Sequence, residues 1–508
     1  MASSRRPFAV AAVYLGTFMA TLAISIVSVA LPTIQADLGT SLADLQWVVG
    51  AYTLCLSAFM LSAGPLADRY GRKRTWLGGI AMFTLGSAVC AGAHSLPLLI
   101  AGCALQGIAG ALVIPGALSI LTQAFPDPAA RAHVIGGWSS FSAISLILGP
   151  MLGGLLVDHV GWPSIFLLNL PIGLMTVGLG LWAVEESAHP DHAALDPAGQ
   201  TLSIVFLGTL TYALIGAGHA GWGAAQTLLP LLASAVALVL FVAVELRCAR
   251  PVLPVDLFRQ GDFAAVNFAS FALGFSGYSS LFLFSLFLQQ AQGWSATQTG
   301  WRMAPVFIAM AVVSPLFGRL SKSCGTQRLM ITGYGLLGLS MLAMTAFTPT
   351  TPYGFMAPCF ALLGVGLGLA VPSTGAAVMA GAPRQRTGSA SATMNALRQG
   401  GMTIGIALLG TFMSLRAVMS LDGALSRSGV HDAAMLAGQA VHRHEMPAAL
   451  HVAPDAFKQW LEDAFAHGFT LAAAVAGALA LAAAVILTLA ARRGRLVVAD
   501  IAQANPKR

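Results

Sequence analysis

The sequence predicts an all-α integral membrane protein with fourteen transmembrane helices. Three observations carry this: a composition too apolar for water, a succession of apolar stretches of bilayer length, and basic residues confined almost wholly to one side of the resulting topology. Of 508 residues, 57% are hydrophobic and only 9% charged, against about 25% charged in a soluble domain. With so little charge to cover a surface, most of the chain must have the lipid bilayer as its solvent. Strands are a poor alternative, because period-2 alternation is missing and open sheets leave backbone groups unpaired in hydrocarbon.

The apolar stretches fall near residues 9–31, 45–63, 77–94, 97–122, 134–157 and 164–184, then 200–218 and 226–246, then 263–288, 299–320, 328–347, 353–380, 389–415 and 466–490. Each approaches the ~20 residues that cross a ~30 Å hydrocarbon core. Arg5 and Arg6 before the first stretch imitate a secretory signal, but Val10 to Leu31 is too long for a signal core and reads as an uncleaved first helix. A cytoplasmic N-terminus puts Arg69, Arg72, Lys73, Arg74, Arg131, Arg250, Arg384 and the tail from Arg492 to Arg508 inside. Only Arg302, Arg416, Arg427, Arg443 and Lys458 then face out, and only Arg398 falls within a span. This segregation is what orientation by the positive-inside rule requires, with both termini cytoplasmic in a plasma (inner) membrane. The net charge of +7 follows from the same short loops, so it is no footprint for nucleic acid.

An internal repeat organises the spans. GPLADRYG (Gly64 to Gly71) closes the second helix and GRLSKSCG (Gly318 to Gly325) closes the tenth, both reading Gly-x-Leu-x-x-x-x-Gly. The expected organisation is a six-helix half over 1–184, two inserted helices with flanking linkers over 185–262, a second six-helix half over 263–491, and a cytoplasmic tail over 492–508. Repeats of this kind place a substrate site between the halves near the midplane. The stretch 185–198, with Glu185, Glu186, Asp191 and Asp196, reads as a polar linker. In the external loop 416–465, PDAFKQWLEDAF sets Phe457, Trp460, Leu461, Ala464 and Phe465 on one helical face, which predicts an amphipathic helix lying on the bilayer. The nearby His442, Arg443, His444 and His451 lack ligand spacing, and no metal is expected.

Two motifs carry the functional signal. In GPLADRYGRKR (Gly64 to Arg74), the glycines Gly64 and Gly71 allow a tight turn and close helix approach. Asp68 can sit at the positive end of a neighbouring helix, while Arg69 and Arg72 belong to a cluster that holds the loop at the anionic inner surface. The ordered pattern resembles the signature loop of the major facilitator superfamily. LGPMLGG (Leu148 to Gly154) follows in the fifth span. There Pro150 bends the helix, and Ser142, Ser145, Gly149 and Gly153 form a small-residue seam, beside Gly154, for close packing. It is similar to that superfamily's antiporter motif, with Ala143 and Ser145 at two usual glycine positions. VALPTIQADLG (29–39), LQWVVGAYTL (45–54), GWPSIFLLNLPIG (161–173) and TGSASATMNALRQGGMTIGIALLG (387–410) resemble the fourteen-span drug:proton antiporters, of multidrug and quaternary-ammonium exporter type. The resemblance implies a secondary transporter whose gating involves the Gly64–Arg72 hairpin and the Gly149–Gly154 seam.

The departures are as informative. The family carries an aspartate nine residues before the proline of Ala-Leu-Pro, where this chain has Ala23, and an arginine three before a Gln-Gly pair, where it has Cys103. An orphan charge in hydrocarbon costs ~2.5–3.5 kcal/mol or more, so losing both avoids stranding one. The acids and histidines lie in loops or near helix ends by these spans. The candidates left for the pathway are Thr17, Thr21, Ser25 and Ser28 on one stripe of the first helix, with Gln106, Asn267, Asn395 and the lone intramembrane cation Arg398. Interhelical hydrogen bonding is the competing role for each, and Arg398, early in its helix, could snorkel to the cytoplasm. The expected function is alternating-access export of a small lipophilic neutral or weakly acidic compound, with weak proton coupling. The competing classes are a non-transporting membrane sensor and an intramembrane enzyme on the same fold, although the spans offer no histidine or acid for catalysis. No cofactor is implied, no Gly-x-x-x-x-Gly-Lys-Ser/Thr loop occurs, and the sequence names no partner subunit.

Overall fold

A computed structural model describes residues 5–125, 127–188, 196–248, 253, 255–259, 261–382 and 386–492. Asp191, Arg250, Arg384 and the basic tail from Arg493 to Arg508 lie outside the described residues. The helices are α1 (Arg6–Leu38), α2 (Leu42–Tyr70), α3 (Arg72–Ala91), α4 (Leu96–Ala124), α5 (Pro128–His159), α6 (Ser164–Leu167) and α7 (Asn169–Ala183). α8 (Pro197–Ala220) and α9 (Ala225–Arg247) follow. After them come α10 (Gly261–Ala272), α11 (Ser280–Leu286), α12 (Ala296–Cys324), α13 (Thr326–Ala343), α14 (Tyr353–Gly381), α15 (Thr387–Arg427), α16 (Ala433–Arg443) and α17 (Pro454–Arg492).

Helices stand at every place where the sequence predicts a span. Among the described residues, 12 of them are long and apolar enough to cross a membrane. The expected spans outside that set are α3, whose first turn holds Arg72, Lys73 and Arg74, and α5, whose apolar part is Ile144–His159. α10 and α11 belong to one rod, Gly261–Ala291, interrupted by π-helical turns at Leu273–Tyr278 and Phe287–Ala291.

The repeat is visible in three dimensions. α2 and α12 each run 29 residues and each begins with a capping box, Ser41 with Asp44 and Ser295 with Gln298. Each ends on a glycine in a conformation closed to other residues, Gly71 at φ 101° and Gly325 at φ 81°, and that glycine also starts the next helix. Gly64 and Gly318 have open space where a Cβ would stand. The turn therefore needs Gly71 and Gly325, whereas the close approach expected at Gly64 is not made.

Successive helices alternate between a basic face, carrying the Gly71 and Gly325 hairpins, and an opposite cap face. α8 lies against both halves: Gln200 donates to the Ala58 carbonyl on α2 at 2.8 Å, and Thr411 on α15 donates to the Leu214 carbonyl on α8 at 2.8 Å. The linker before α8 is more than polar filler. Glu186 accepts from the backbone N–H groups of Lys73 (3.0 Å) and Arg74 (3.1 Å), capping α3, while Asp196 caps α8 through Gly199 N–H at 2.9 Å.

The external loop also differs from expectation. The amphipathic segment is the first part of the 39-residue α17, with Phe457, Leu461, Ala464 and Phe465 buried. α15 extends 41 residues, beyond the predicted end of its span, and α16 packs between these extensions and α2. The apolar stripe therefore faces protein, not lipid. On this cap, Gln35 at the end of α1 donates to the His442 carbonyl at 3.0 Å. His444 sits in left-handed backbone (φ 56°) with its ring edge-on to Phe465, centroids 5.1 Å apart.

Burial pushes the His444 imidazole down to about 4, against ~6.5 when released. Between those values the opened cap binds a proton that the closed cap does not, so closure is intact above ~6.5 and weakens as pH falls toward 4. Limited proteolysis of the 428–453 connection should accelerate over that window. His444→Asn, which tolerates the same backbone, should abolish the pH dependence.

Candidate functional site

The polar stripe of α1, expected to line the pathway, makes packing contacts with neighbouring helices. Thr17 accepts from the Trp138 indole N–H at 2.8 Å while donating to the Val13 carbonyl at 3.0 Å. Thr21 pairs with Ser145. Ser25 lies where any side chain at Gly149 would collide, and Gly153 packs on Ile26. Ser28 offers its carbonyl to Ser285 on α11 and donates its hydroxyl to Ser25 O at 2.6 Å. The predicted seam thus faces α1, joined side chain to side chain by Thr17–Trp138 and Thr21–Ser145 and backbone to side chain at the glycines. Tyr14, Phe18 and Phe141 continue it as an aromatic cluster, with centroids 5.7 Å and 5.4 Å apart.

Gly154 and Pro150 face the other half. A Cβ at Gly154 would strike the backbone of Ala296 and Thr297, and one at Gly300 on α12 would strike the Pro150 carbonyl. Just beyond, the Asp158 carboxylate accepts from Thr297 N–H at 2.8 Å, placing a negative charge on the positive end of α12. Gln290 donates to the Gln35 side-chain oxygen at 2.8 Å, and Gln289 to the Val29 carbonyl at 3.1 Å. Deeper, Ser57 on α2 donates to the Ala396 carbonyl on α15 at 2.9 Å. Among the described residues, these bonds between halves lie on the cap side or near the middle. Toward the basic face, the Gly64 and Gly318 positions are open. The bundle is sealed at the cap face.

At the basic hairpin, Asp68 pairs with its own-turn neighbour Arg72 (Nε 2.9 Å, Nη2 2.8 Å), and Arg69 lies over the Tyr70 ring at 5.6 Å. The helix end expected for Asp68 is occupied at α3 by Glu186 instead. Gly71 could carry no side chain, because it would meet Glu186 as well as the φ constraint.

The two positions with lost charges are neighbours in space. Ala23 and Cys103 line one small cavity with Tyr52, Thr53 and Gln106. Its polar groups are satisfied: Tyr52 donates to the Ala20 carbonyl at 2.8 Å and Gln106 to the Ser87 hydroxyl at 2.7 Å. Cys103 sits 3.8 Å, sulfur to sulfur, from Cys90. Asn267 is buried within the second half, its amide donating to the Phe263 carbonyl at 2.8 Å.

Asn395 and Arg398 do meet. The Arg398 guanidinium donates to the Asn395 side-chain oxygen and lies 5.8 Å from the Tyr278 ring centroid. Tyr334, fully buried, shares a 3.0 Å hydrogen bond with Thr374. Tyr278, Tyr334, Thr374 and Trp138 were not singled out in the sequence, and Glu186 was read only as part of a polar linker. Tyrosine is scarce, 7 in 508 residues, and its occurrence inside apolar spans was the available signal.

Comparisons with known proteins agree with this architecture. The sequence model described as Major Facilitator Superfamily matches residues 13–406 and 266–494. The chain is 37% identical over 414 residues to the multidrug resistance protein Stp of Mycobacterium tuberculosis, covering 82% of this chain and 77% of that one. It is 34% identical to the methylenomycin A resistance protein of Bacillus subtilis, covering 79% and 86%. With the tetracenomycin C resistance and export protein of Streptomyces glaucescens it shares 32% identity over 94% of this chain and 90% of the relative. In fold it is similar to a bacterial homologue of the human lysosomal transporter Spinster in an inward-facing, unoccupied state (TM-score 0.63, 19% identity, 98% of both chains). A peptide transporter of the POT type is similar as well (TM-score 0.66, 13% identity, 97% and 96% covered).

If the Asp158 carboxylate holds the cap-side seal, Asp158→Ala should expose the first turn of α12. Hydrogen exchange at residues 297–300 should rise several-fold while the rest of α12 is unchanged, and Asp158→Asn should recover part of the protection. Gly149→Leu should cost far more, because Ser25 has nowhere to go: about 1–3 kcal/mol of overpacking, read as a lowered melting temperature.

Proposed function

The chain belongs to the major facilitator superfamily, in its drug:proton antiporter type, and from that premise we propose that it exports a small lipophilic compound, neutral or weakly acidic, by alternating access. Fourteen crossings, with α3 and α5 completing the set, put the basic face in the cytoplasm and the cap outside a plasma (inner) membrane. The observation that carries the reading is the closure at the cap, where α5 and α12 meet backbone to backbone with Asp158 on the α12 terminus, while Gly64 and Gly318 toward the basic face are exposed with open space at their Cβ positions. A carrier sealed on one side and unsealed on the other is one of the two states that alternating access needs. Relatives named for drug resistance, methylenomycin A resistance and tetracenomycin C export support an organic cargo moved outward.

Conformational switching falls to the Asp68–Arg72 hairpin and the Gly149–Gly154 seam. The cargo passes between the halves, with no catalysis on the way. Proton coupling is weak, because Ala23 and Cys103 leave an uncharged cavity where the family holds an acid and a base, and a coupled carrier needs a group that gains and loses a proton between states.

Flux into proteoliposomes, measured for a compound panel with and without a pH gradient, tests this reading. Transport should occur and the gradient should change it little; strong proton-driven uphill transport would overturn the uncoupled assignment, and ligand binding without any flux would make the chain a sensor. Asp68→Asn should reach the membrane folded, bind ligand, and transport slowly. Ala23→Asp alone should lower yield, an orphan acid costing ~2.5–3.5 kcal/mol, whereas adding Cys103→Arg should restore it by pairing the charge.

A further inference from the structure

We propose that Arg398, Asn395 and Tyr278 form an anion-binding subsite in the second half, and that it takes lipophilic organic acids as their carboxylate or phenolate anions. This rests on the transporter reading above and narrows its cargo.

Arg398 stands 11 residues into α15 by number from Thr387, which is ~16 Å along the helix axis at 1.5 Å per residue. That sets the Cα inside the apolar stretch 389–415, within a hydrocarbon core ~30 Å thick. A guanidinium there is costly unless paired, and among the described residues no carboxylate lies within ion-pair distance of it. Its protein partners are neutral: the Asn395 amide oxygen and the Tyr278 ring. Asn395 occupies one of the five donors of the fork. The side chain is only half-buried, so the remaining donors are available to something other than protein.

The backbone is built around this spot independently. Gly274 packs against the Arg398 carbonyl so closely that any side chain would collide. The same segment, Leu273–Tyr278, is π-helical, and the wider turn re-aims Tyr278 at the guanidinium. Such turns are rare and concentrate at functional sites. Two residues before Arg398, Ala396 accepts the cross-half bond from Ser57, so the cation lies close to the interface where cargo passes. An unpaired charge and a broken helix, each costly alone, coincide at one place.

The chemistry selects the ligand. One guanidinium beside a tyrosine ring and an amide balances one negative charge and leaves none over, which suits a monoanion and disfavours a dianionic phosphate. Its planar fork matches two carboxylate oxygens or a single phenolate, and organic cations are repelled. A bound monoanion also neutralises Arg398, so the occupied site crosses between states with no net charge.

Purified full-length protein in nanodiscs tests this, using aryl and alkyl carboxylates and phenols, each paired with its methyl ester or ether, in equilibrium binding at pH 7. At least one acid should bind about tenfold or more tightly than its neutral partner, a difference of 1.4 kcal/mol. Arg398→Gln should remove that preference and leave neutral-ligand binding unchanged, and Arg398→Lys should retain part of it. Tyr278→Phe, which keeps the ring, should retain most of it. No acid preference in the unmodified protein, or a preference that survives Arg398→Gln in protein with normal melting, overturns the proposal. Flux of a neutral lipophile separates the two readings: flux without acid preference sinks the subsite alone, and acid binding without flux of any compound sinks the transporter and leaves the subsite standing.

Discussion

Hydrocarbon offers no hydrogen-bond partner, and nearly every structural decision in this chain follows from that. A helix satisfies its own backbone, but its polar side chains must find partners inside protein. The hydroxyls do so in two ways. Many bond the carbonyl three or four residues back, as Ser87 does to Phe83 and Thr374 to Ala370. Others bridge helices, as Ser276 does to the Ala476 carbonyl and Ser340 to the Cys359 carbonyl. The second group decides which helices are neighbours, because lipid supplies no hydrophobic drive to press helices together.

Close approach then depends on residues without side chains. Helices can exchange backbone-to-backbone contact only where glycine removes the obstacle: Gly154 and Gly300 do so between the halves, and Gly401 and Gly405 within the second half. α1 contributes to the packing on both sides: Thr17, Thr21 and Ser25 hold α5 in its own half, and Ser28 and Gln35 reach α11 and Gln290 in the other. The stripe read as pathway lining is in this state a packing surface.

Much of this was legible because the relevant signals are local. Apolar length gave the helices, the repeated Gly-x-Leu-x-x-x-x-Gly gave two equivalent turns, and Gly149 and Gly153 announced a seam by their spacing alone. What the sequence withheld was partner identity. Nothing adjacent to Glu186 says that it caps α3 more than 100 positions earlier in the chain, whereas the Asp68–Arg72 pair has the i,i+4 spacing of a local ion pair. The external loop misled for a related reason: an apolar stripe looks the same whether it meets lipid or protein, and only the length of α15 and α17 made protein the available surface. Two π-turns in the Gly261–Ala291 rod were invisible, since they have no composition of their own.

The distribution of charge within the membrane is the final constraint. At the two positions where the sequence departs from the family pattern it resembles, this chain has Ala23 and Cys103 beside a small cavity whose polar neighbours, Tyr52 and Gln106, are already satisfied. Nothing there asks for a ligand. The second half keeps Arg398, and surrounds it with groups that can tolerate a cation but cannot neutralise it. Among the described residues its contacts are the Asn395 side-chain oxygen within the same turn and the Tyr278 ring at the end of the π-helical segment. The asymmetry between halves therefore has a direction: the charge that does work in this membrane is positive, and it lies on the side of the interface opposite to the one the family pattern would single out.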